Sequence, residues 1–119
     1  MYNLADVFVS VSSLEGFGFT VAEAMSCGLP VVVSARGALP ELIGDETGGA
    51  ICRLEQPGSF VGGLVGLLSS AERRREAGRA NRRRIDTDFR WDRAAIQVQQ
   101  IYAEVIAQRR GVRDPPLAR

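Results

Sequence analysis

The stretch Glu15-Gly16-Phe17-Gly18-Phe19-Thr20-Val21-Ala22-Glu23 decides the reading of the fold. It follows the apolar run Val7-Phe8-Val9-Ser10-Val11 and leads into a segment that ends at Cys27-Gly28-Leu29-Pro30. The β-branched run, bounded by Ser12-Ser13, predicts a strand buried on both faces, hence parallel and central. Gly16 to Gly18 makes the turn, and Phe19 to Ser26 reads as a short helix. Gly28 suits the residue after its last turn, and Pro30 blocks continuation. A strand, a glycine turn and a helix N-terminus gather unpaired backbone N–H groups and positive dipole at one spot, which suits phosphate. The carboxylates of Glu15 and Glu23 bracket that spot. They grip phosphate poorly but accept hydrogen bonds from sugar hydroxyls well. Phosphate beside hydroxyls describes a nucleotide sugar.

Outward from there, strands and short helices alternate. Pro30-Val31-Val32-Val33-Ser34 predicts a second buried strand, Glu41-Leu42-Ile43 one helical turn closed by Gly44, and Ala50-Ile51-Cys52 a third strand. The alternation indicates an α/β class with a Rossmann-like, doubly wound parallel sheet. From Pro57, the spacing of Phe60, Val61, Leu64, Val65, Leu67 and Leu68 predicts the buried stripe of a helix. Gly62, Gly63 and Gly66 weaken that helix by about 0.8–1 kcal/mol each against Ala. Ala71 to Ile85 carries seven Arg and reads as a solvated helix face, with an anionic contact as the functional alternative. Phe89 and Trp91 mark a turn expected to pack on the core. Trp91, Ala94, Ala95, Val98, Ile101, Tyr102, Val105 and Ile106 predict one face of a long amphipathic helix, and Gly111 onward a frayed tail.

Composition removes whole classes of chemistry. The 119 residues make one domain of near-neutral charge, so nothing in the balance points to nucleic acid or an anionic membrane surface as partner. All fifteen basic residues are Arg, and there is no His. A Walker phosphate loop lacks its Lys. Ser-His-Asp and Cys-His catalysis lack their base, and zinc sites lack imidazole. Nothing reads as a signal peptide, a membrane span or a lipidation motif. Cys27 and Cys52 are accordingly expected to be reduced, small apolar residues of a cytoplasmic protein.

The glycine turn has competing readings. A dinucleotide fingerprint wants a third Gly where Val21 stands, and an acidic residue after the second strand. Ser34-Ala35-Arg36 follows instead, with Arg36 suited only to a 2′-phosphate. A nucleophile elbow is absent. A glycosidase carboxylate pair needs no phosphate-ready helix. A plain βα connection explains the turn when it is taken alone.

The wider pattern resembles one family closely. It comprises Ala5-Asp6-Val7-Phe8-Val9, Ser12, Glu15-Gly16-Phe17-Gly18, Glu23-Ala24-Met25, Cys27-Gly28-Leu29-Pro30-Val31-Val32 and Pro40-Glu41. This is similar to the retaining GT-B glycosyltransferases of family 4, the "glycosyltransferase group 1" enzymes, from Asn3 to about Ile106. The resemblance implies transfer of a hexosyl unit from a nucleoside diphosphate sugar to an alcohol acceptor, with no metal and no further cofactor. It implies that Glu15 is catalytic and faces the anomeric carbon. It implies that Gly16, Phe17, Gly18, Phe19, Thr20 and Glu23 bind the donor, Glu23 through the ribose hydroxyls. Val11 replaces the family's Pro, and Gly37-Ala38 its Gly-Gly.

Complete members are roughly three times longer, with an acceptor domain and a first donor half. The reading therefore expects a fragment: residues 1–109 as part of a nucleotide-sugar-binding domain, the C-terminal half of a GT-B donor domain, and 110–119 as a disordered tail. A partial or degenerate gene and a split enzyme completed by a separate chain are the expected origins. A non-catalytic remnant and a GT-B-like nucleotide-sugar epimerase are the alternatives, the latter opposed by Glu15-Gly16-Phe17-Gly18.

Overall fold

Phe8–Ser10 (β1), Val31–Ser34 (β2) and Gly49–Cys52 (β3) form one parallel sheet in the order β1-β2-β3. The computed structural model describes residues 2–45 and 47–112. Phe8 stands opposite Val31, and Val31 opposite Gly49. The helices are Phe19–Ser26 (α1), Leu39–Ile43 (α2), Pro57–Leu68 (α3), Ala71–Asp88 (α4) and Trp91–Val112 (α5), after a 3-10 turn at Tyr2–Leu4. The expected α/β class and three parallel strands are observed. α2 begins two residues earlier than expected, because Pro40 fits the first turn of a helix, where its missing N–H breaks no bond.

Among the described residues β2 is the strand with a neighbour on each side. Val31, Val32, Val33 and Ser34 are all fully buried. Val32 joins Cys52, Leu67 and Ala77 in a cluster beneath α3 and α4, and alternation sends Val31 and Val33 to the opposite face. β1 pairs only with β2 among the described residues, so Val9 is 45% and Val11 61% exposed. The fragment reading expects the other neighbours of this strand to lie outside these residues, with one edge and part of both faces exposed, and among the described residues it pairs on one side only.

α3 buries a narrower stripe than its apolar pattern predicts. Leu67 is buried and Phe60 partly so, while Val61, Val65 and Leu68 are exposed. Gly63 faces the sheet, where a Cβ would stand 2.9 Å from Ala50 Cβ, so its absence of a side chain allows the close approach. Gly62 meets nothing. Gly62→Ala is therefore expected to stabilise the fold by about 0.8–1 kcal/mol through helix propensity, read as a higher urea midpoint, with Gly63→Ala destabilising.

α4 closes the N-terminal ends of the strands. Asn81, 1% exposed, donates from Nδ2 to the carbonyls of Leu29 (2.7 Å) and Gly48 (2.8 Å), just ahead of β2 and β3. Arg74 donates to the Leu67 and Leu68 carbonyls at the end of α3, and Arg84 to those of Glu41 and Leu42 in α2. Part of the Arg-rich helix thus caps its neighbours' orphan carbonyls.

Among the described residues, 88–112 form a second compact unit. Within it Arg93 pairs with Asp88 and Arg90 with Asp92, each at 3.0 Å. Trp91 is the first residue of α5. α5 continues to Val112, so the helix enters the segment expected to be a tail; residues 113–119 lie outside the described ones.

Candidate donor-binding site

Gly18 is the N-cap of α1 and holds φ at 90°, a left-handed conformation that glycine adopts without strain. The first intrahelical bond runs from the Ala22 N–H to the Gly18 carbonyl at 2.8 Å. The N–H groups of the cap and first turn, up to Val21, precede that bond and have no intrahelical partner. Gly18 has no side chain with which to cap them. They lie beyond the C-terminal end of β1, where open α/β sheets bind ligands.

The turn is held from below and from the side. A Cβ on Gly18 would stand 2.7 Å from Leu39 Cδ2 and 3.3 Å from Leu42 Cδ2, so α2 packs directly under the turn. The same position lies 3.6 Å from Glu15 Cγ, which brings the Glu15 side chain over Gly18. Gly37, with φ 56°, approaches so closely that a Cβ there would overlap the Glu15 carbonyl oxygen. The neighbouring Ala38 N–H donates to that oxygen at 3.2 Å. Ser34 Oγ, buried at the end of β2, donates to the Ser12 carbonyl at 2.5 Å. The loop after β2 thereby fixes the loop after β1. Arg36, considered above for a 2′-phosphate, is ion-paired with Glu55.

The sequence-derived residues fall into two groups. Glu15, Gly16, Phe17, Gly18, Phe19 and Thr20 are one continuous turn and helix start, with Glu15 and Phe17 half-buried and Phe19 and Thr20 exposed. The Phe17 and Phe19 rings stack at 4.8 Å, tilted by 49°. Glu23 lies one turn further along α1, exposed, and its carboxylate accepts a hydrogen bond from the Tyr2 hydroxyl at 2.8 Å. That bond, with partial burial and the Glu23 and Cys27 charges, raises the Tyr2 phenol above its ordinary range. The bond therefore persists below pH 10 and is lost only as pH rises through the raised value. Cys27 and Cys52 are both free thiols, Cys27 exposed and Cys52 buried with its Sγ 3.3 Å from the Ser59 carbonyl.

Sequence reasoning missed Tyr2 and Leu39, and treated Gly37 only as a departure from a pattern. Gly37 carried a signal, since an isolated Gly between a strand and a helix marks a positive φ or a close approach. Tyr2 carried none, lying 21 residues from its partner. Among the described residues no three potential metal ligands come together, and no helix is long and apolar enough to cross a membrane.

Known proteins are similar to this chain in sequence and in fold. The family model for "Glycosyl transferases group 1" matches residues 1–84. A D-inositol 3-phosphate glycosyltransferase of Salinispora tropica is 34% identical over 110 residues, covering 92% of this chain and 23% of that protein. The sucrose-phosphate synthase structure from Thermosynechococcus elongatus superposes with a TM-score of 0.80 at 31% identity, covering 90% of this chain and 27% of that one. The C-terminal domain of a glycosyl transferase group 1 family protein from Francisella tularensis gives a TM-score of 0.68 at 27% identity, covering 76% and 46%. The chain spans about a quarter of the length of the curated relatives it matches. Its three-stranded parallel sheet with flanking helices matches part of a GT-B glycosyltransferase, and by the family match over most of its length the chain belongs to the group 1 glycosyl transferases.

Proposed function

We propose that this chain supplies the C-terminal part of the donor site of a retaining, family 4 glycosyltransferase, which moves a hexosyl unit from a nucleoside diphosphate sugar to an alcohol. The observation that carries the reading is the uncapped α1 N-terminus at Gly18, overhung by Glu15 and braced by Gly37 and Leu39. In this reading the N–H groups of Phe17, Gly18, Phe19 and Thr20 hold the sugar and the diphosphate. The helix dipole supports the charge that the leaving diphosphate gains. Glu15 accepts from donor-sugar hydroxyls and stabilises positive charge developing on the ring. Glu23 accepts from the ribose hydroxyls. The acceptor pocket and the rest of the donor site come from outside these 119 residues, in the same polypeptide or in a separate chain.

Titration of the purified chain with ADP, GDP and UDP tests this. At least one is expected to bind saturably, and Glu23→Ala to weaken it tenfold or more, because a charge-assisted hydrogen bond contributes about 1.5–3 kcal/mol. Absence of saturable binding at millimolar nucleotide would instead indicate a non-catalytic remnant.

A further inference from the structure

Tyr2 lies outside the Glu15–Glu23 stretch, yet its hydroxyl donates a hydrogen bond to the Glu23 carboxylate, 2.8 Å from hydroxyl to Oε2. Its ring is itself held in place. It packs against Phe8 of β1 at 5.8 Å, tilted by 56°, and its carbonyl accepts from the Ala5 N–H at 3.0 Å in the 3-10 turn. Phe8 is in register with Val31 of the buried central strand. The phenol is thus referenced to the sheet, while Glu23 rides on α1. An exposed glutamate has a long side chain with considerable rotamer freedom, which binding would otherwise have to remove. One bond to Oε2 restricts that freedom and leaves Oε1 free to accept, since a carboxylate offers about four lone-pair positions.

We propose that Tyr2 is a positioning residue of the donor site, its hydroxyl orienting the Glu23 carboxylate toward the vicinal ribose hydroxyls of a nucleoside diphosphate. This rests on the reading of Glu23 as the ribose acceptor.

Tyr2→Phe keeps the ring on Phe8 and removes only the hydroxyl. The 119-residue chain and its variants are titrated calorimetrically with ADP, GDP and UDP and with the 2′,3′-dideoxy form of the tightest binder. Tyr2→Phe is expected to weaken the ribonucleotide by about three- to tenfold, to leave the dideoxy form unchanged, and to add nothing in the Glu23→Ala background. Unchanged or tighter ribonucleotide binding overturns the assignment, as does an equal loss for both nucleotide forms, which marks a structural role. When Glu23→Ala weakens binding and Tyr2→Phe does not, only the role of Tyr2 fails. When Glu23→Ala binds like the parent, or no nucleotide binds at all, the donor reading fails and takes this one with it. An alkaline ultraviolet titration in a Tyr102→Phe background gives a readout without ligand. Tyr2 is expected to ionise above the ordinary phenol range and to move down in Glu23→Ala; ionisation in the ordinary range shows the contact is not made in solution and overturns the proposal.

Discussion

Asn81→Ala is expected to destabilise the fold by roughly 2–4 kcal/mol: the buried Leu29 carbonyl loses its donor, at about 1–3 kcal/mol, and the Gly48 carbonyl, which also accepts from the Val31 N–H, loses one of its two bonds, at about 0.5–1.5 kcal/mol. Those carbonyls, of Leu29 and Gly48, receive both N–H bonds of one amide at 2.7 and 2.8 Å in a site that is 1% exposed. Water has little access to replace the lost donor. A domain of this size holds only about 5–15 kcal/mol, so the loss removes a large share of its stability. Asn81→Asp is expected to be at least as damaging as the alanine variant. An ionised carboxylate only accepts, and it would place its charge against two carbonyl oxygens. Urea denaturation followed by circular dichroism reads both variants, and a midpoint within error of the parent would contradict the assignment. The tether also explains why an Asn interrupts an Arg-rich helix: Asn81 brings two chain segments, 52 and 33 residues away in sequence, to one point under the sheet.

Gly37→Ala is expected to destabilise by about 2–5 kcal/mol and to weaken nucleotide binding by tenfold or more. Two causes add. Alanine at φ 56° meets the left-handed penalty of about 1–2 kcal/mol. Its Cβ would also overlap the backbone of Glu15, and a forced shift in packed surroundings adds about 1–3 kcal/mol. The loop must then withdraw and give up the Ala38 N–H bond to the Glu15 carbonyl. That withdrawal is what couples stability to the site, because Glu15 leads directly into the turn over α1. Gly16→Ala is the internal control. A Cβ at Gly16 meets nothing within 4 Å, so the fold is expected to tolerate it. Urea midpoints and nucleotide titration on the still-folded variants separate the two effects. Parent-like binding in a destabilised Gly37→Ala would show that Glu15 does not depend on the loop after β2.

Much of the fold was legible because its signals are local. The run Val31-Val32-Val33 is a strand in any context that can bury it, and it became the fully buried centre of the sheet. α1 was bounded correctly at both ends, since Gly18 starts it in a left-handed cap and Gly28, also at positive φ, follows its end. The apolar pattern of α3 was less informative. It marks residues able to be buried, and more of them face out than the sheet can cover, so Val61, Val65 and Leu68 remain exposed. How many neighbours β1 has cannot be read from its composition, because a β-branched run is equally apolar whether one strand or two pair with it.

By itself the sequence determined the class of the sheet, the order of its elements and the turn with two flanking carboxylates. Each depends on side-chain spacing within one element or across one turn, where covalent geometry dictates which groups meet. Only the tertiary structure decided what supports that turn. Leu39 lies under Gly18, Gly37 presses on the Glu15 backbone, and Tyr2 holds Glu23. Asn81 closes the opposite end of the strands, ahead of β2 and β3. These contacts join residues distant along the chain, and their partners are selected by which surfaces the packed sheet and helices bring within hydrogen-bond or van der Waals reach, a choice that no local pattern encodes.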